Sequence, residues 1–185
     1  MARLTPEISG QPLLRLLRRA RRDQSGATAV EFAMVAAPFF FLLFAMIEIA
    51  SVFFTSTVLE NAVLETAREI RTGQAQAAGM TRNEFRDEIC TRIEVIGNCD
   101  RLEFDVRVFE GFNTVDQGSP VNPDGSLDSG SFGWDPGEAG DIVLVRVFYR
   151  WSLLTPNFGG AMSNMGGNQR LLSAASVFRN EPFDD

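Results

Sequence analysis

Gly26-Ala27-Thr28-Ala29-Val30-Glu31-Phe32 stands where a basic segment gives way to a long apolar run. Apart from Glu31, the run from Ala27 to Ile47 carries no charge. An acidic side chain inside a bilayer costs roughly 2.5–3.5 kcal/mol even on the milder insertion scale, so Glu31 needs a cationic partner. A cut after Gly26 would create one, the α-amine of Ala27. That amine would lie about one helical turn from Glu31 in the same chain, and within reach of a neighbouring Glu31 in a packed bundle.

On the N-terminal side, residues 1–26 hold six arginines (Arg3, Arg15, Arg18, Arg19, Arg21 and Arg22) against two acids, Glu7 and Asp23. This leader stands at +4, whereas the rest of the chain, with 11 arginines and 22 acids, stands at −11. Arginines clustered beside an apolar span stay cytoplasmic, which places the N-terminus inside and the acidic remainder outside. An acidic exported domain has no electrostatic footprint for nucleic acid, so no nucleic-acid partner is expected. Two other export signals fit poorly. Arg21-Arg22 is followed by Asp-Gln-Ser rather than apolar residues, which argues against a twin-arginine signal. The apolar run closes on Ala45-Met46-Ile47-Glu48, not on the small residues that end an ordinary signal peptide.

On the other side, Ala27 to about Phe54 reads as one membrane helix. About 28 residues at 1.5 Å each give about 42 Å, enough to cross the hydrocarbon and reach the interface. Phe39-Phe40-Phe41-Leu42-Leu43-Phe44 is apolar on every face, which favours a membrane span over the buried helix of a soluble protein. Pro38 removes one helical hydrogen bond and crowds the carbonyl of Met34, so a kink or local melting is expected there. Glu48 is a second awkward acid, either near the outer interface or paired within an assembly.

Past the span, Leu59, Val63, Ala67 and Ile70 recur at helical spacing with charged residues off the stripe, so the helix should continue as an amphipathic stalk to about Gly73. The stripe fits either the chain's own core or a seam with a partner helix. Gln74–Met80 reads as a small-residue linker. Thr81-Arg82-Asn83-Glu84 has the form of a capping box, opening a second helix with Phe85, Ile89, Ile93 and Ile96 on one face. Strands are expected at Leu102–Val108, at Asp141–Trp151 and, more weakly, at Arg170–Phe178. The fold class is therefore α+β: a long N-terminal helix, a short second helix and a small antiparallel sheet of about three strands. The Gly/Ser/Asp/Pro-rich stretch 111–140 is expected to be a mobile surface loop, and a shorter loop spans Thr155 to Asn168.

Cys90 and Cys99 are the only cysteines. In an exported domain a pair this close is expected to form a disulfide, stabilising by roughly 2–3 kcal/mol on the chain-entropy estimate. With no histidine and no further cysteine, no zinc site is expected. Asp124, Ser126 and Asp128 alternate like calcium ligands, but Ser129 stands where the EF-hand turn needs glycine and Asp135 where it needs glutamate. All 17 basic residues are arginine, so there is no Ser-His or Cys-His pair and no P-loop lysine. No enzymatic activity, cofactor or metal is expected.

The stretch from Gly26 through Glu31, Phe32 and Pro38, the apolar run and Ile47-Glu48 together resemble the TadE-type pseudopilins (minor pilins) of tight-adherence (Tad) pili. The tail Ala174–Phe183 resembles the ending of some members. The resemblance covers about residues 26–68. It implies a pilin-like fold and a prepilin peptidase cut between Gly26 and Ala27, with Glu31 and Phe32 completing the processing motif. The implied function is assembly of a type IV-like adhesion pilus. Implied partners are the prepilin peptidase, the major pilin and other pseudopilins, the inner-membrane assembly platform and the lipid bilayer. The resulting organisation is a cytoplasmic leader at 1–26, a single transmembrane helix at 27–56 in the bacterial inner membrane, and a periplasmic α+β domain at 57–185. The alternative is an uncleaved single-span anchor with a periplasmic binding domain.

Overall fold

The computed structural model describes residues 26–116, 118–155 and 162–183. The arginine cluster expected to form the leader, and residues 156–161 of the shorter loop, lie outside them. The chain divides into two compact units, Met1–Phe44 and Ala45–Asp185.

Helix α1 runs from Ala27 to Arg71. It is unbroken at Pro38, so the helix does not melt there. Within the first unit its side chains face outward on every side, Phe32, Phe39, Phe40, Phe41 and Phe44 among them. An all-round apolar helix has no polar face to give to water, and α1 is long and apolar enough to cross a membrane.

The second unit begins at Ala45, where α1 becomes one-sided. Leu59, Val63, Ala67 and Ile70 are buried in a core shared with the helices and strands that follow. The stripe therefore packs against the chain's own domain. Gly73, with φ +78°, ends the helix in the left-handed conformation that glycine tolerates best. The small-residue stretch behind it is not a plain linker: α2, Gln74–Ala77, buries Ala75.

Helix α3, Arg82–Arg92, opens on the capping box as expected. The Thr81 hydroxyl accepts from the Glu84 amide, and the Glu84 carboxylate accepts from the Thr81 amide at 2.7 Å. The Thr81 amide first, and second the Thr81 hydroxyl, which donates to the same carboxylate at 2.8 Å, hold the Glu84 carboxyl below the usual glutamate range. Phe85, Ile89 and Ile93 enter the core, while Ile96 sits partly buried in the 3-10 turn Glu94–Ile96. Arg92 ties α3 to α1 through Glu65 at 3.0 Å and Glu69 at 2.8 Å.

Strands β1 (Leu102–Phe109), β2 (Ile142–Ser152) and β3 (Gln169–Arg179) form an antiparallel sheet in that order. Its inner face, with Phe104, Val106, Val143, Val145, Val147 and Tyr149, meets the helices. Its outer face is also closed. Ile142, Leu144 and Phe148 are buried there, and Phe132 stacks on Phe148 at 5.2 Å. The covering comes from the stretch 111–140. This stretch also runs along the β1 edge, where the Val106 amide donates to Gly133 and Val106 accepts from the Asp135 amide. Trp134 enters the core against Phe85 and Phe104, its indole donating to the Met80 carbonyl. A segment too polar to form a core thus supplies two aromatic lids to one.

Sheet and helix match in length. At 1.5 Å per residue α1 covers about 35 Å between Glu48 and Arg71, and β2 at about 3.3 Å per residue covers nearly the same distance. At the Arg71 end the Glu181 amide donates to the Arg71 carbonyl at 2.8 Å, and the Phe183 ring lies on Gly73, leaving no room for a Cβ. Buried Asn180 donates to the carbonyls of Pro136 and Glu138. At the other end the clasp is Glu48.

Candidate functional site

Gly26 immediately precedes α1 and is exposed. A Cβ built there meets nothing within 4 Å. No described part of the chain requires glycine at this position, in contrast to Gly73. Any steric demand at Gly26 must come from outside the described residues. Ala27, Glu31 and Phe32 occupy the first two turns and are exposed. Among the described residues none forms an ion pair with Glu31. The α1 N-terminus supplies partial positive charge nearby, a contribution limited to the first turn. Glu31 is therefore an acidic side chain exposed on an otherwise uncharged apolar surface.

Glu48 is treated differently. It is 1 % exposed. One carboxylate oxygen accepts from the Leu154 amide, the other from the Thr155 amide at 3.1 Å and from the Thr155 hydroxyl. The chain just past β2 thus folds back over the helix, and an acid that the apolar run could not accommodate is fully bonded. The sequence left its role open because the partners lie 106 and 107 residues away.

Cys90, in α3, is bonded to Cys99, with Cα atoms 5.7 Å apart. The bridge joins α3 to the turn that leads into β1. In cells both thiols are expected to resist alkylation until reductant is added; labelling before reduction would contradict an exported, oxidised domain.

A cavity of about 250 Å³ on the outer sheet face has Arg146 as its one ionisable lining residue, so it lacks an acid–base couple. Asp124 is engaged by the Ser126 hydroxyl and amide, which hold its carboxyl below the usual range. Among the described residues no group of three potential ligands converges on a metal position.

Residues 26–68 match the family model of TadE-like proteins. The match begins at the exposed glycine and takes in Glu31, Pro38, Glu48 and most of the buried stripe of α1. No curated protein and no solved structure matches the chain.

Proposed function

We propose that this chain is a prepilin-like membrane protein, a minor pilin or pseudopilin that takes part in assembling a tight-adherence pilus. The observation that carries the reading is the conjunction at the start of α1: a glycine that no described residue requires, followed five residues later by an acid that no described residue pairs with a cation. A prepilin peptidase accounts for both, since it needs the small residue before the cut and leaves an ammonium on Ala27 for Glu31 to neutralise. The leader stays cytoplasmic, α1 crosses the inner membrane once, and the disulfide-bonded domain lies in the periplasm. Pro38 then sets a local bend in a helix that packs among the major pilin and other pseudopilins at the assembly platform. The work is assembly, not catalysis.

Replacing Gly26 with tryptophan is the direct test. The precursor should persist at full length in membranes, visible as a gel shift; normal maturation of Gly26→Trp would remove the basis of the proposal. Glu31→Gln should still be cleaved and inserted, but its association with other pilin subunits should fall because the new ammonium loses its counter-ion. Undiminished pilus assembly by Glu31→Gln would exclude the ion-pair role.

A further inference from the structure

The end of the sheet that closes on Glu48 carries apolar side chains that the described residues leave exposed. Val95, on the 3-10 turn after α3, is 71 % exposed, and Leu154, just past β2, is 73 % exposed. Val95 and Trp151 line an apolar groove of about 430 Å³ together with Ile47 and Phe54 of α1. These residues come from three separate parts of the chain and meet beside the same two turns of the helix. The antiparallel register puts Trp151 at the opposite end of β2 from Ile142, the partner of Phe109 in β1. The far end of the sheet is thus about 30 Å away.

We propose that this end of the domain is a lipid-facing collar that seats the folded unit in the headgroup region of the bilayer. The inference rests on the reading of α1 as a membrane span and adds a second contact with lipid. Counted from Ala27, about 20 helical residues cross a hydrocarbon core of about 30 Å, which brings the chain to about Met46. Ile47 to Phe54 therefore lie at the depth where headgroups begin. Phe53 and Phe54 remain exposed there, although Val52 and Thr55 are buried by the domain. Tryptophan and apolar tips are the residue types that this layer favours. The acid that would oppose such seating is withdrawn: Glu48 is saturated by the Leu154 and Thr155 amides and the Thr155 hydroxyl, and the bonds that bury it also present Leu154 outward. Lipid is favoured over a protein partner because Ile47, Ile49, Phe53 and Phe54 are all exposed here, Glu48 is buried, and the one hydroxyl among them, on Ser51, is donated to the Ile47 carbonyl.

The test uses the full chain in phosphatidylcholine vesicles, with one nitroxide label at a time on Val95→Cys, Leu154→Cys, Phe39→Cys or Phe112→Cys. Phe39 reports on the span, and Phe112, exposed near the other end of the sheet, is the aqueous control. Labels at 95 and 154 should collide more with oxygen than with a water-soluble nickel reagent, with a shallower depth than the label at 39. The label at 112 should show the reverse preference. If 39 reports lipid while 95 and 154 match 112, the collar is overturned and the span stands. If 39 also reports water, the span reading fails first and the collar with it. Labels at 95 and 154 that are aqueous in vesicles but become shielded when other pilin subunits are added would assign the surface to a protein partner and overturn the lipid proposal.

Discussion

Glu48→Ala is expected to destabilise the folded unit by about 3 kcal/mol, because it removes the acceptor of three hydrogen bonds and strands two backbone amides. For a domain of this size that is a fall in melting temperature of roughly 10 °C. The loss should be local as well as global. Hydrogen exchange at Leu154 and Thr155 should accelerate far more than exchange in the middle of β2, where Val143 to Val147 keep both neighbouring strands. Glu48→Gln should fall between, since the amide retains one acceptor oxygen but presents a donor to the second set of N–H and O–H groups. Unchanged exchange at 154 and 155 in Glu48→Ala would show that the acid does not hold this end of the domain.

A second large effect is expected at Asp105, which is wholly buried in β1 on the outer face of the sheet. It accepts from Arg107 at 2.8 Å, from its cross-strand partner Arg146 at 2.7 Å and from the Gly133 amide at 2.8 Å. Two cations on one carboxylate balance its burial, and the Gly133 bond fastens the covering segment to the sheet. Removing one partner of a buried pair costs about 3–5 kcal/mol, because the remaining charge is left uncompensated. Asp105→Ala should show a loss in that range by urea unfolding, since it strands Arg146, whose Nε already has no partner. Arg107→Ala should cost less than about 1 kcal/mol, because that guanidinium is partly exposed. Equal losses in the two variants would contradict the assignment of Asp105 as the anchor of the outer layer.

Much of this was legible from local pattern. The capping box at Thr81 and Glu84 needs only its own four residues, and it formed as read. The strands Leu102–Phe109, Ile142–Ser152 and Gln169–Arg179 lie within a residue or so of the alternation and β-branching that announced them. What escaped was non-local. Ile142-Val143-Leu144-Val145 and Val147-Phe148-Tyr149 are apolar at both parities, which is the signature of a strand covered on two faces. That signal implied an outer layer, and only the polar stretch 111–140 was available to supply it. Composition hid this, because Phe132 and Trp134 are two aromatics among glycine, serine and aspartate. Within that stretch, residues 118–130 make few bonds outside their own segment, among them Gly118 to Arg146 and Gly125 to the Gly166 amide. Glu48 was recognised as out of place, but a carboxylate satisfied by the amides after β2 leaves no mark near residue 48. The motif at Gly26–Phe32 is the opposite case: its residues are visible in sequence, and among the described residues nothing requires the glycine or pairs Glu31 with a cation.

The central claim concerns what happens to the first 26 residues, and the intact mass of the chain extracted from its own membranes measures that directly. The account predicts a protein that begins at Ala27, lighter than the full chain by the mass of residues 1–26. A mass corresponding to the complete 20.4 kDa chain in cells with an active prepilin peptidase would contradict it and leave a permanent single-span anchor in its place.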